Sequence, residues 1–331
     1  MSLFKNIAVI GGGSWATAIV KMLSENQESV SWWMRNEDNI AHIKRYGNNP
    51  NYISAAELLT DKLTIDSDIN AIVDAADCIV LAVPSAFLAR TLESLSASIK
   101  DKFVVSAIKG IVPENNTIIG DYLHENYHIP YENIGVITGP CHAEEVALER
   151  LSYLTVACED VRKAEWFAEQ ISCRYIKTNV SEDIFGTEIA AVLKNVVAIA
   201  SGVCHSLGYG DNFQAVLASN AIREIKRFVD TVHPIKRDIK ESAYLGDLLV
   251  TVYSQFSRNR TFGNMIGKGY SVKSAQLEMN MVAEGYYAVK CIKEINEQYN
   301  IEMPITTAVY HILYEKISPV IEMRLLSDKL N

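Results

Sequence analysis

The chain has 331 residues, enough for two domains, with 49% hydrophobic and 21% charged residues and a net charge of −9. That acidity, with no basic tract, argues against nucleic acid as a partner, and any anionic ligand must be held by locally clustered Lys and Arg. The six cysteines, at 78, 141, 158, 173, 204 and 291, show neither metal-ligand nor C-x-x-C spacing, so they read as small buried hydrophobes of a reducing cytosol and no metal is expected.

The first element is a strand. Lys5-Asn6-Ile7-Ala8-Val9-Ile10 is short, apolar and β-branched, and no basic-then-apolar leader precedes it, so a cytoplasmic protein is expected. A glycine turn follows, Gly11-Gly12-Gly13-Ser14-Trp15-Ala16, and then the apolar run Thr17-Ala18-Ile19-Val20 of a helix. The pattern G-x-G-x-x-A needs all three small positions to hold a dinucleotide. Gly11 turns the chain off the strand, Gly13 lets backbone N–H groups approach a pyrophosphate, and Ala16 lets the helix pack on the strand. A second strand near residues 29–34 completes the context that the motif requires. It ends in Trp32-Trp33-Met34-Arg35-Asn36, where no acid stands ready for a ribose hydroxyl. Arg35 suits a 2′-phosphate, which favours NADP(H). An Arg stacked on adenine accepts both cofactors, so NAD(H) stays open, and Glu37 and Asp38 lie just beyond.

Further strands are expected at Asp77–Val83, Phe103–Ala107, Ile134–Thr138 and Tyr153–Ala157, with helical patterns between them at residues 86–98 and 142–150. Strands alternating with helices imply a Rossmann-like, doubly wound parallel sheet, whose ligands sit at the carboxyl ends of the strands. Pro84, Lys109 and the Gly139–Cys141 turn lie at such ends. From Glu182 onward the pattern is helical, which predicts an α/β dinucleotide-binding domain over residues 1–180 and an all-α substrate domain over 181–331. No apolar run approaches the length of a membrane span.

Residues 188–200 read as a core helix, apolar almost all round, with Lys194-Asn195 at its middle. Such a pair is costly unless partners satisfy it, and a buried ammonium serves readily as a general acid or base. The alternative is a Lys that snorkels to the surface along its stem. Asp247 follows Gly246 within an apolar stretch and suits either a buried Lys or a helix N-cap. Ser257-Arg258-Asn259 offers a hydroxyl, a guanidinium fork and an amide before an apparent helix, a group that suits a phosphate or a solvated polar loop.

With these stretches in view, the chain resembles the bacterial NAD(P)-dependent glycerol-3-phosphate dehydrogenases. The resemblance runs from residue 7 to residue 285, through Gly11–Ala16, Asn49-Pro50-Asn51-Tyr52, Val83-Pro84-Ser85, Ser106–Gly110, Gly139-Pro140 with Ala143–Val146, Leu193-Lys194-Asn195, Gly210-Asp211-Asn212, Gly246-Asp247-Leu248, Ser257–Arg260 and Val282–Gly285. It implies reduction of dihydroxyacetone phosphate to sn-glycerol 3-phosphate, the backbone of glycerophospholipids. It also implies roles. Lys194 is the proton donor, Asp247 orients or charges it, and Lys109 contacts cofactor and substrate. Gly139, Cys141, Ser257, Arg258 and Asn259 hold the substrate. Ser14, Trp15, Arg35, Tyr52, Lys109, Ala143, Arg258, Val282 and Glu284 line the cofactor. A homodimer rests on analogy alone.

The chain departs from the family pattern at Cys141, usually Ser, at His142, usually aromatic, and at Asn220, often Arg. A thiol at residue 141 gives a weaker hydrogen bond to a substrate hydroxyl than Ser would. Two other readings carry different expectations. A reductase of the 3-hydroxyisobutyrate or 6-phosphogluconate type would space its Lys and Asn further apart and lack the Asp247, Arg258 and Asn259 set. A non-catalytic nicotinamide-binding sensor would have no use for Lys194, Asp247 and Arg258 together.

Overall fold

A computed structural model describes residues 3–279 and 283–331. The chain forms two compact units. One reaches to Ile108 and takes in Ile119–Ile184; the other takes in Lys109–Ile118 and Phe185–Asn331.

The strands are β1 (Ile7–Ile10), β2 (Val30–Trp33), β3 (Leu63–Asp66), β4 (Cys78–Leu81), β5 (Phe103–Ser106), β6 (Ile111–Val112), β7 (Thr117–Ile118), β8 (Ile134–Thr138), β9 (Ser152–Cys158) and β10 (Ile176–Ser181). Eight of them build one sheet in the order β10-β9-β8-β5-β4-β1-β2-β3, while β6 and β7 pair as a separate antiparallel ribbon. The helices of the first unit are α1 (Ser14–Asn26), α2 (Glu37–Tyr46), α3 (Ile69–Asp74), α4 (Leu88–Leu92), α5 (Ile119–Tyr127), α6 (Ala143–Ala147) and α7 (Val161–Ile171). Those of the second are α8 (Ile184–Ser206), α9 (Asp211–Val232), α10 (Asp247–Tyr253), α11 (Arg258–Gly267), α12 (Val272–Glu278), α13 (Glu284–Tyr299), α14 (Pro304–Leu313) and α15 (Pro319–Ser327).

The central strands β1, β4 and β5 are buried on both faces, as their unbroken apolar runs require. Strand β1 pairs in register with both neighbours, Ile7 opposite Val30 and Cys78. From β1 the chain winds to β2 and β3 on one side, then crosses to β4 on the other. The switch in direction therefore lies at β1, where such sheets open a crevice for ligands. The chain leaves β1 at Gly11, whose φ is +138° and whose missing Cβ would lie 2.5 Å from Ala82 O, just past β4. Only glycine fits this turn.

Three sequence expectations are corrected. The sheet is not wholly parallel, because β8 and β9 run antiparallel. The segment between them carries only the five-residue α6, too short to bring the chain back to the start of β8, and the helix stops where Glu149 turns left-handed at φ 54°. The helix expected over 86–98 ends at Leu92, after a 3₁₀ turn at Ser85–Phe87. Beyond it Ser94 Oγ donates to Thr91 O at 2.7 Å, and Asn70 Oδ1 accepts from the Ser96 N–H at 2.7 Å, so side-chain bonds replace helical ones. Finally, α8 is 23 residues long and by length and composition could cross a membrane, although its run is broken by Glu188, Lys194 and Asn195. In this protein 94% of its most apolar window is buried.

Helix α8 is the axis of the second core. Its Ile189, Val192, Val196, Ile199 and Val203 belong to one cluster with Leu217 and Phe228 of α9, Leu248 and Val252 of α10 and Phe262 of α11. Burial of each such side chain stabilises by about 1.5–3 kcal/mol. Helix α11 meets α8 backbone to backbone. A Cβ on Gly263 would lie 2.1 Å from Ile199 O, and one on Gly202 2.0 Å from Arg260 O.

Candidate active site

In the first unit, the glycine turn joins β1 to α1. Gly13 is the N-cap of α1 and carries no capping side chain, and nothing lies within 4 Å of the Cβ it lacks. An anion can therefore come close to the first amides of a 13-residue helix. Ala16 is fully buried, the small position that lets α1 pack against the sheet. Ser14 is buried and Trp15 half-buried. Arg35 is exposed just past β2, beside Asn36, which caps α2 by accepting from the Asn39 N–H at 2.9 Å. Glu37 Oε1 accepts from Ser67 Oγ at 3.1 Å. Tyr52 is half-buried in the loop after α2. Gly139 follows β8 at φ +115°, and its missing Cβ would meet Tyr153 O at 2.8 Å. Cys141 and Ala143 are buried after it, with His142 as the N-cap of α6. These residues fit a dinucleotide: a side-chain-free helix start and a cation rather than an acid at the end of β2.

The second unit gathers the charged groups. Lys194, on α8, is 4% exposed, and Asp247, at the start of α10, is 1% exposed. Lys194 Nζ donates to Asp247 Oδ1, and Lys109 Nζ donates to Asp247 Oδ2 at 3.3 Å. One buried carboxylate thus lies between two ammonium groups. A buried charge is tolerated only in such company. Thr251 Oγ1 donates to Asp247 O at 2.6 Å and fixes the start of α10. Burial pushes the Lys194 ammonium down, to about 7; the Asp247 carboxylate opposes that shift and the Lys109 charge adds to it. A lysine so placed exchanges its proton near neutrality.

Asn195 supplies a link that sequence reading did not assign. Its Nδ2 donates to Lys109 O at 2.8 Å, which ties the main chain of Lys109 to the helix that bears Lys194. The only sequence signal was its neighbour, since an amide beside a buried Lys also needs a partner.

Ser257 is the N-cap of α11, accepting from the Arg260 N–H at 3.3 Å, and its own hydroxyl proton is left to donate. Arg258 is half-buried at the first helical position. Asn259 Oδ1 accepts from the Gly285 N–H at 2.9 Å, which leaves its amide nitrogen as the group that could donate to an anion. Gly285 in turn sits where a Cβ would lie 2.6 Å from Asn195 O. The heads of α11 and α13 are thereby locked to the turn of α8 that holds Lys194. Glu284, the first residue of α13, is half-buried. Val282 lies outside the described residues. Asn220 Nδ2 donates to Asn331 O at 2.8 Å and so serves the end of the chain rather than the lysine cluster. Among the described residues no group of His, Cys, Asp and Glu could hold a metal ion.

Comparison with known proteins gives this arrangement its family. The family model for the N-terminus of NAD-dependent glycerol-3-phosphate dehydrogenase matches residues 6–164, and that for the C-terminus matches residues 183–323. The chain is 31% identical over 328 residues to a Staphylococcus carnosus protein named glycerol-3-phosphate dehydrogenase (NAD(P)+), covering 98% of each. It is 34% identical over 319 residues to a Lacticaseibacillus paracasei protein of the same name, covering 93% of this chain and 90% of the other. The crystal structure of glycerol-3-phosphate dehydrogenase from Coxiella burnetii is similar with a TM-score of 0.88 at 26% identity, over 97% of this chain and 98% of that one. With both family models matched in order along one chain, and a nicotinamide cofactor thereby implied, this oxidoreductase belongs to the NAD-dependent glycerol-3-phosphate dehydrogenase family.

Proposed function

We propose that the chain reduces dihydroxyacetone phosphate to sn-glycerol 3-phosphate, reversibly, with NADPH preferred to NADH, and so supplies the glycerophospholipid backbone. The observation that carries this reading is the buried Lys194–Asp247–Lys109 cluster. The bound nicotinamide supplies the hydride to the carbonyl carbon. As that carbon is reduced, negative charge develops on the carbonyl oxygen. The Lys194 ammonium stabilises it and delivers the proton; in reverse, neutral Lys194 accepts the proton from the hydroxyl. Asp247 orients Lys194 and supports its charge. Lys109 adds a second fixed positive charge on the cofactor and substrate side.

Arg258 and Asn259 hold the substrate phosphate at the head of α11, where a guanidinium fork, an amide and helix N–H groups converge. Ser257, Gly139 and Cys141 complete the substrate site, and the thiol of Cys141 makes the weaker contact. Gly11, Gly13, Ser14, Trp15, Arg35, Tyr52, Ala143, Val282 and Glu284 line the cofactor with Lys109 and Arg258. Arg35 supports NADPH, since no acid stands in its place at the end of β2. In this reading residues 1–180 are the dinucleotide-binding domain and 181–331 the helical substrate domain, with Lys109, Gly139 and Cys141 of the first range also meeting the substrate.

The test is oxidation of NADPH with dihydroxyacetone phosphate against unphosphorylated dihydroxyacetone, repeated with NADH. Turnover only with the phosphorylated ketone, and a higher kcat/KM with NADPH, is expected. A preference for a carboxylate substrate, or no activity with either ketone, overturns the reaction; a clear preference for NADH overturns the cofactor. Lys194→Ala should keep dinucleotide binding and lose about 10²–10⁴-fold in kcat. Near-normal turnover in that variant would remove Lys194 from its role.

A further inference from the structure

The three carbonyls of the glycine turn are all held inside the protein, two of them by side chains from distant parts of the chain. Trp32, on β2 and fully buried, donates its Nε1–H to Gly11 O at 2.6 Å. Asn49, also fully buried, donates Nδ2 to Gly12 O at 3.1 Å and to Thr17 Oγ1 at 2.9 Å. Thr17 passes the bond on, because its Oγ1 donates to Gly13 O at 2.9 Å and its N–H to the same oxygen at 3.0 Å. Asn49 is itself held, its Oδ1 accepting from the Asn51 N–H at 3.2 Å.

The peptide plane converts this into a statement about donors. No described peptide bond is cis. In a trans peptide the N–H of one residue points opposite to the C=O of the residue before it. Drawing Gly11 O inward therefore aims the Gly12 N–H outward, and drawing Gly12 O inward aims the Gly13 N–H outward. Glycines left to themselves would sample many orientations of these planes. Here the planes are set before any ligand arrives, which spares binding the entropic cost of ordering them.

We propose that Trp32 and Asn49 are positioning residues for the dinucleotide, which fix the N–H cradle of Gly12 and Gly13 without touching the ligand. The proposal rests on the reading above that this turn binds NADP(H). It differs from a packing role in what it predicts. Loss of either donor should weaken binding of the phosphate-bearing cofactor while chemistry at saturation stays the same.

The experiment compares Trp32→Phe, which removes the donor and keeps an aromatic ring with a loss of buried volume that the melting temperature reports, with Asn49→Ala. NADPH affinity is measured by calorimetric titration, alongside kcat, the KM for each reactant and the melting temperature. In each variant the dissociation constant for NADPH should rise about tenfold, the loss of one oriented hydrogen bond in a buried network. The value of kcat at saturating NADPH, and the KM for the ketone phosphate, should move by less than about threefold, the spread left when only cofactor affinity changes. Lower melting temperature with unchanged affinity at 25 °C would reduce both residues to packing and overturn the proposal. So would a fall in kcat with unchanged affinity. If Asn49→Ala does not fold, Trp32→Phe decides alone. If the wild-type chain binds neither NADPH nor NADH, the proposed function fails instead, and that result is separate from the variants.

Discussion

Lys194 is intelligible only with Asp247. An ammonium in an apolar helix is expensive, and the carboxylate returns much of that cost, while Lys109 on the other oxygen keeps the return incomplete. The balance leaves Lys194 with its proton affinity lowered, to about 7, chiefly through burial. The direction of the pH dependence follows. With Lys194 in its proposed role reduction needs the ammonium, so its rate should fall as pH rises through about 7; oxidation needs the neutral amine and should rise over the same range. Asp247→Asn removes the group that holds the proton on Lys194, so the fall in the reductive rate should move to lower pH. Steady-state pH profiles in both directions measure this, and a profile that stays in place would detach Asp247 from Lys194. The same shift has a stability side. The folded state binds fewer protons than an unfolded lysine would, so folding loses stability as pH falls from about 10.5 toward 7.

Among the elements, α11 illustrates what small residues do for a site. Gly263 and Gly202 let its backbone rest on that of α8, which sets Ser257, Arg258 and Asn259 at a fixed height along the helix that carries Lys194. Gly263→Ala puts a methyl 2.1 Å from Ile199 O, so a backbone must move. A loss of about 3 kcal/mol in unfolding free energy is expected, with a raised KM for the phosphorylated substrate, as measured by denaturant titration and kinetics. An unchanged stability would mean that the two helices do not need this approach. The sequence announced α8 as a core helix by its composition and placed β1, β2, β4, β5, β8 and β9 to within a residue or two. It did not announce the glycine contacts, because a glycine in a helix looks the same whether or not another backbone lies against it. It also overran α4, because Ser94, Ser96 and Ser98 are neutral in a helical pattern until Asn70 offers some of that segment other bonds.

The whole molecule has two cores of different construction: one in the sheet with its glycine turn, and one in the helical unit with its charged cluster. If the first unit binds the dinucleotide, the folded chain is stabilised by the ligand through mass action. NADPH at about 100 times its dissociation constant should add about 2.7 kcal/mol and raise the melting midpoint by roughly 5 °C or more. Thermal scans with and without NADPH check this, and a midpoint that does not move would contradict binding to the folded state. Residues 109–118 belong with the helical unit although they leave strand β5 of the sheet. The sequence reads this stretch as part of the first domain, since a chain passing between units carries no composition change when it is ten residues long.

The sequence by itself determined the glycine turn, the alternation of strand and helix, the apolar helix with its anomalous lysine, and through its ordered stretches the family. These are properties of local pattern, in which period, punctuation and residue type suffice. Only the tertiary structure decided that Asp247 lies between two lysines, that Asn195 carries the main chain of Lys109, and that Trp32 and Asn49 donate to carbonyls of the turn. Each of these joins residues far apart in the chain, and hydrogen bonds at such separation have no signature in spacing. They exist because burial leaves every donor and acceptor in need of a partner, and only the fold brings the partner near.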